Sequence, residues 1–363
     1  MVNATPSRSP DETMTAVLSR RTVVRRIAAA SLLGVTVARA QPARKRLRML
    51  LNTGYSGPQA WLLLAQDNGH LAREGIELDF TPGAGAYTAA PRMIDGGFDL
   101  AYGDVNSLIE EVARRPDVAP QGVFMLFQAS PSAVAVRADG PLRAPRDLEG
   151  RTVAGHSTDV ALRTFGAFCL RNGVDRSRVD VSTAAGGMRG LIESVLADEV
   201  QGAFGYVSTF AGALASARPA LMEKVRFLTY AEWVPSLHGS VVMASRKLRR
   251  DDPALITRLV HALNLGLADM VRDLDAGIDA VTRIAPGTDR AAEKLRLLTT
   301  LRIEMNHPDS RRLGIGDVDD ARFGESVALM ARGAGLPRVP ALQEVFVREH
   351  LPPPAQRVRM PAI

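Results

Sequence analysis

The sequence predicts an α/β protein of two doubly wound lobes with mostly parallel sheets and extra C-terminal helices. Three observations predict it. Apolar strand-like runs alternate with helical patterns, the alternation occurs twice with matching loops, and a long helical stretch follows. With 363 residues, 46% of them apolar and 23% charged, there is enough material for a packed core in each half.

In the first half, "LRMLLN" (47–52) is a strand, "TGYSGPQ" a loop and "AWLLLAQDNGHLAREG" a helix closed at Gly69 or Gly75. "IELDF" is the second strand, "AAPRMIDGG" the end of a short helix, "FDLAYG" the third strand. "DVNSLIEEVARR" is a helix with Asp104 at its N-cap, and "GVFMLFQ" the fourth strand. The order then recurs. "RTVAGHSTDVALRTFGAFCLRNG" (151–173) is strand, polar loop, helix and Gly stop, and "VDVSTAAGGMRGLIESVLADEVQGAFGYV" (179–207) repeats residues 78–105. Asp79 meets Asp180, Gly85 meets Gly186, Gly103 meets Gly205 and Asp104 meets Tyr206. "YSGPQ" (55–59) corresponds in turn to "HSTDV" (156–160). "SPSAVAVRADGPLRAPRDLEG" (130–150) links the halves and "SVVMAS" (240–245) is a return strand. "DPALITRLVHALNLGLADMVRDLDAGIDAV" is helical with Pro253 at its start, "DVDDARFGESVALMARG" is a last amphipathic helix, and the Pro-rich tail "LPPPAQRVRMPAI" is expected on the surface or frayed.

"FTPGAGAYTAA" (80–90), with Asp104 further on, has parts of a dinucleotide fingerprint. That fingerprint belongs to the first βα turn, whereas this loop follows the second strand, and its third Gly is missing. Its counterpart at "STAAGGMRG" makes it one side of a paired clamp.

The N-terminus, "SRRTVVRRIAAASLLGVTVARAQPA", has a basic region, an apolar run at 27–37 and a small-x-small end at Ala38–Ala40. Residues 1–40 are therefore expected to be a cleavable export signal, the apolar run being too short to span a bilayer. Arg20–Arg21 resemble a twin-arginine signal, with Val23 where a Phe is usual, and Met14 is an alternative start. No Cys lies near the cut to carry a lipid anchor, so a soluble, periplasmic product is expected. The net charge of +6 falls largely in this segment. Without its six Arg, Asp11 and Glu12, 39 basic and 37 acidic side chains remain, which removes the case for nucleic-acid binding by bulk charge. The single Cys, Cys169, sits in an apolar helical setting and is expected to pack, not to react. The six His show no pair at metal-ligand spacing, and no G-x-S-x-G elbow occurs, so neither metal nor cofactor is expected.

"GPQAWLLLAQDNGHLAREGIELDF", "MIDGGFDLAYGD", "PLRAPRDLEGRTVAG", "VLADEVQGAFGY" and "ASRKLRRDDPALITRLVHALN" carry a resemblance over nearly the whole mature chain. In these stretches the sequence resembles the extracytoplasmic solute-binding proteins of ABC importers, in the nitrate/sulfonate/taurine and thiamin-pyrimidine-precursor branch (type II periplasmic binding proteins). One departure is Gln201, where the second-lobe "GxxDA" run usually has an acidic residue; Asp99 fills the first-lobe position. The resemblance implies two lobes joined by two crossover strands, here 45–133 with 240–363, and 134–239. It implies a solute held between the lobes, closure about a hinge, an ABC permease as partner, and a monomer.

Loops at the C-terminal ends of the strands then face one crevice. The candidates for solute contact are Ser56, Gly57 and Trp61, then Gly85, Tyr87 and Thr88 in the glycine loop, and Asp104. Gln128 and Ser130, with Ser132, approach the first crossover. In the second lobe they are Ser157, Thr158, Asp159, Met188 (beside Gly187), Tyr206 and His238. Each has a plainer reading: the hydroxyls and Asp104 as helix caps, Trp61 as core, Tyr87 as packing. Trp233 is a further aromatic near the cleft, and Arg163 and Arg189 are cations able to neutralise an anion or simply to face water. A non-catalytic carrier is the leading expectation. An exported enzyme using the same cleft and a periplasmic sensor are the alternatives, and one Cys leaves no room for the cysteine-rich motif of pyrimidine-synthesising relatives. Hydroxyls, glycines and arginines lean towards a sulfonate, taurine, nitrate or aromatic-carboxylate anion; Asp104 and Asp159 lean towards an amine or pyrimidine.

Overall fold

The computed structural model describes residues 44–360, apart from residues 185 and 216–218. The expected export signal at 1–40 lies outside the described residues.

The first half runs β1 (Lys45–Leu50), α1 (Ala60–Asp67), β2 (Ile76–Thr81), α2 (Ala89–Gly96), β3 (Leu100–Asp104), α3 (Val105–Arg114) and β4 (Gln121–Met125). The second runs β5 (Ser132–Arg137), β6 (Thr152–Gly155), α4 (Phe165–Asn172), β7 (Asp180–Thr183), α5 (Met188–Leu196), β8 (Gly202–Tyr206), α6 (Val207–Ala215) and β9 (Val225–Thr229). The chain returns as β10 (Ser240–Ala244) and continues through α7 (Pro253–Arg272), α8 (Leu274–Ile284), α9 (Arg290–Thr299), a π-helical turn over Thr300–Met305 and α10 (Asp320–Gly333).

The strands form two five-stranded sheets ordered β2-β1-β3-β10-β4 and β7-β6-β8-β5-β9. These orders correspond strand for strand, as the internal repeat requires. β10, from the second crossover, runs antiparallel to β3 and β4, and β5, from the first, runs antiparallel to β8 and β9. The other four strands of each sheet share one direction. The register sharpens the repeat: Ser240 pairs with Asp104, and Ser132 pairs with Tyr206. β5 begins inside the stretch expected only as a linker, and β9 has no counterpart among the expected strands.

The departure at Gln201 has a physical account. Arg48 N donates to Asp99 Oδ2 (2.9 Å), and in the second lobe Thr152 N donates to Gln201 Oε1 (3.1 Å). In both lobes the position supplies an acceptor for a strand N–H, and an amide oxygen serves as well as a carboxylate. Gln201→Leu should therefore cost about 1 kcal/mol, whereas Gln201→Asp should stay within about 0.5 kcal/mol of the parent. Urea unfolding measures both; equal losses would refute the account.

The cores are aromatic. Trp61 is fully buried between Tyr102 (5.6 Å between centroids) and Phe124 (6.0 Å). In the second lobe Phe165 meets Phe204 at 5.0 Å and Phe168 stacks on Tyr230 at 4.5 Å. Cys169 joins this core, and burial pushes its thiol up to about 12, so it packs as expected. α7 has the length and apolar composition of a membrane-spanning helix, but it packs with α8 against α1, and most of its apolar side chains, Leu265 excepted, are buried or half-buried.

The stretch expected to be helical over 252–281 is helical, as two helices that meet at Asp273, whose side chain caps α8 by accepting from Ala276 N (3.0 Å). α9 packs on α6 of the second lobe, and α10 touches both α3 and α4. The C-terminal helices thus bridge the lobes. Of the two expectations for the tail, surface or frayed, the surface one holds: residues 353–356 are exposed, and the described part is tied down. Ile315 N donates to Val358 O (2.7 Å), Asn264 Nδ2 to Gln356 O (2.9 Å), and Met360 is buried. Its prolines set a backbone that long-range partners then fix.

Candidate functional site

A cavity of about 340 Å³ lies between the C-terminal ends of the two sheets. One wall is the loop after β1, with Asn52, Thr53 and Gln59, and the loop after β2, with Gly83 and Gly85. The other is the loop after β6, with His156, Thr158 and Asp159, joined by Met188, Tyr206 and Ser208. Phe127, Arg296 and Glu304 complete it. The volume falls in the range of small-molecule sites.

The first wall is prearranged. Gln59 donates through Nε2 to Asn52 Oδ1 and to Thr53 Oγ1 (3.1 Å), while Ser56 Oγ donates to Gln59 Oε1. Gly83 and Gly85 donate through their backbone N–H groups to Thr53 O and Asn52 O, both at 2.9 Å. A Cβ on Gly83 would stand 1.9 Å from Leu51 O. The glycines expected to admit a solute thus serve first to lay the second loop on the first. Gly85, at φ +124, also meets the opposite lobe: a Cβ there would stand 3.3 Å from Thr158 Oγ1.

On the second wall Asp159 caps the helical turn at Val160–Arg163, accepting from Ala161 N (2.7 Å). Burial raises its carboxyl to about 6. Glu304 reaches the cavity from the π-helical turn. Its Oε1 accepts from Ser208 Oγ on α6 (2.6 Å), and its carbonyl accepts from Ala129 N at the first crossover (3.2 Å). Only 1% of Glu304 is exposed, and burial raises its carboxyl to about 7 against the Ser208 hydrogen bond. Arg296 is engaged: Nη1 donates to Glu293 Oε1 (3.0 Å), and Glu293 Oε2 accepts from Gly57 N (2.7 Å). The Tyr206 hydroxyl has no hydrogen-bond partner; burial and the carboxyls of Asp104, Asp159 and Glu304 raise it well above its ordinary value.

Of the residues expected at the site, Gly85, Thr158, Asp159, Met188 and Tyr206 line the cavity. Others turn elsewhere. Ser56 and Gly57 hold Gln59 and Glu293, and Trp61 is core. Tyr87 donates to Glu110 Oε2 (2.5 Å) under the Arg163 guanidinium, 5.0 Å from its ring, so it packs at the rim. Arg163 lies 3.8 Å from Glu110 and Arg189 3.9 Å from Glu193. Thr88 Oγ1 donates to Gly85 O (2.8 Å). Gln128 donates to Asp317 O and accepts from Arg322 Nη2 (2.9 Å), bound away from the cleft. Ser130 Oγ accepts from Ser132 N (3.4 Å), and Ser157 is exposed. His238 is buried edge-on to Phe323 (5.2 Å), and Trp233 is half-buried against the core. Asp104 is an N-cap: Oδ1 accepts from Asn106 N (2.9 Å) and Nδ2 (3.0 Å). Burial raises it to about 7, and its Oδ2 has no partner.

Sequence reasoning missed Asn52, Gln59, Ser208, Arg296 and Glu304. The repeat held a signal for Ser208, which falls two residues after Tyr206 as Asn106 follows Asp104. For Glu304 the signal was a single acidic residue in the apolar run "LLTTLRIEM".

A family model described as NMT1/THI5 like matches residues 59–276. The chain belongs to the NMT1/THI5-like family. A relative, the riboflavin-binding protein RibY of Chloroflexus aurantiacus, is 24% identical over 328 residues, covering 86% of this chain and 88% of RibY. Among solved structures, the alkanesulfonate-binding protein SsuA from Xanthomonas axonopodis pv. citri bound to MOPS has a TM-score of 0.62 at 16% identity, covering 85% of this chain and 99% of SsuA. The desulfurization enzyme DSZB has a TM-score of 0.54 at 17% identity, covering 84% and 97%. This NMT1/THI5-like chain therefore has the two-lobed periplasmic-binding-protein fold. Binding proteins and an enzyme share that fold, so the chemistry must be argued from the cavity.

Proposed function

We propose that the protein is a non-catalytic, exported, periplasmic binding protein. It captures a small organic solute between lobes formed by residues 45–133 with 240–363 and by 134–239, and as a monomer presents it to the permease of an ABC importer. The observation that carries this reading is a cavity walled by equivalent loops of two repeated lobes. Two of its polar side chains are engaged within the protein: His156 Nε2 is bonded to Gly186 O (2.6 Å) and the Ser208 hydroxyl donates to Glu304. With His156 bonded to a backbone carbonyl, it is not the base of a Ser–His pair. Export by a twin-arginine-like signal belongs to the same proposal.

Charge supports an amine- or pyrimidine-like solute over the sulfonate or aromatic-carboxylate anion towards which the sequence leans. Two carboxyls, Asp159 and Glu304, line the cavity against one guanidinium, Arg296, already shared with Glu293. Arg296 leaves room for one acceptor on the same solute, as a heterocycle provides.

A thermal-shift screen of amines, pyrimidines, flavins, sulfonates and aromatic carboxylates tests this. A true ligand at about 100 times its dissociation constant adds roughly 2.7 kcal/mol to stability. Recovery of the ligand unaltered after prolonged incubation is expected; its consumption by purified protein would overturn the non-catalytic reading.

A further inference from the structure

Among the described residues, Glu304 is the one acidic side chain that the C-terminal helices send into the cavity. It is placed by an irregularity. Between α9 and the next turn the backbone widens into a π-helix over Thr300–Met305, a distortion that costs regular hydrogen bonding and recurs at functional sites. The turn is pinned at both lobes: Glu304 O accepts from Ala129 N at the crossover, and Glu304 Oε1 accepts from Ser208 Oγ on α6. The charged and titratable groups around it are Arg296 on α9, Tyr102 on β3 and Tyr206 on β8, with Asp104 and Asp159 beyond Tyr206. Among these groups Arg296 is the cation, and it pairs with Glu293 (3.0 Å). A buried carboxyl with no cation of its own is costly unless it stays neutral or meets one. Beside it the Tyr206 hydroxyl has no partner.

Resting on the solute-binding reading above, we propose that Glu304 determines solute specificity. Its carboxyl takes a nitrogen donor of the solute, and it releases its proton to the buffer when that donor is cationic. The same contact ties solute to both lobes, because Ser208 belongs to the second lobe and the π-helical turn is anchored at the crossover.

Three probes with one ring and different heads isolate the contact: benzamidine (cation), benzamide (neutral) and benzoate (anion). Benzamidine is expected to raise the melting temperature of the full protein most, and benzoate least. Benzamidine affinity measured by calorimetry should rise about tenfold from pH 6 to pH 8, as a carboxyl titrating near 7 becomes free to pair. Glu304→Gln should remove the preference for benzamidine over benzamide and most of the pH slope, leaving at most the roughly twofold rise that Asp159, titrating at about 6, can supply.

A ligand-free measurement stands beside this. A carboxyl raised above its unfolded value supports the fold fully below the unfolded value, near 4 to 5, and that support is lost as pH rises through about 7. Without ligand, the wild type should therefore lose melting temperature from pH 6 to pH 8 relative to Glu304→Gln. Asp104 and Asp159 titrate in both proteins and cancel. Stronger binding of benzoate, equal responses, no response to any probe, or parallel pH profiles would overturn the assignment. If the broad solute screen finds a ligand whose affinity Glu304→Gln leaves unchanged, Glu304 fails and solute binding stands; a silent screen removes both. Should Glu304→Gln not fold, the wild-type probe order and pH slope decide alone.

Discussion

Asp317→Ala should lower stability by about 3–5 kcal/mol, a large share of the margin of an ordinary domain. Asp317 is 7% exposed. Its Oδ1 accepts from Val318 N (2.8 Å) and Arg348 Nε (3.1 Å), and its Oδ2 from Arg357 Nη1 (2.7 Å). The Arg357 side chain, 9% exposed, lies in the tail and donates further to Pro352 O (2.8 Å) and Leu313 O (3.2 Å). Removing the carboxylate strands a buried guanidinium, and the penalty is that of an unpaired charge, not of one hydrogen bond. Release of the tail should also open Arg357 to trypsin. Chemical denaturation and limited proteolysis check the two parts; a loss below about 1 kcal/mol with an intact tail would show the ion pair to be ornamental.

The second large effect has an informative sign. Gly166 of α4 and Gly333 of α10 touch through their backbones. A Cβ on Gly166 would lie 2.2 Å from Gly333 O, and one on Gly333 would lie 2.4 Å from Ala167 N. Helix propensity alone makes Gly166→Ala stabilising by about 1 kcal/mol. The contact predicts the reverse, a loss of about 1–3 kcal/mol or more, because backbone atoms cannot rotate away as a side chain would. Gly333→Ala should behave alike, and the double variant should cost less than the sum, since one displacement of α10 relieves both. A gain in melting temperature for either single variant would mean that the helices have room between them.

Much of the architecture was legible because it is repeated and periodic. β1, β2, β3 and the glycine loop are local patterns, and the match of Asp104 to Tyr206 became an equivalence of strand pairing. Burial direction was less accessible. Trp61 and His238 lie beside cleft loops in sequence but turn into the core, because a helix face or a crossover decides which way a side chain points. Glu304 and Arg296 come from a segment far from either loop set, and a π-helical turn has no compositional mark. The tail lies on the surface over 353–356, as its composition suggested, but Asn264 and Asp317, which hold it, are distant in the chain and left no local signal.

The exchange of strands between the sheets also governs how this chain can fold. β10 fills the gap between β3 and β4, so the first sheet stays open until the chain has passed through the entire second lobe. Until then β3 and β4 present bare edges, the form most prone to pair with another molecule. Its closing contact, Ser240 against Asp104, is highly non-local, and such pairings carry the loop-closure entropy that slows folding. The first half therefore cannot be excised as a contiguous domain, because its sheet needs β10, whereas all five strands of the second sheet lie within 132–229.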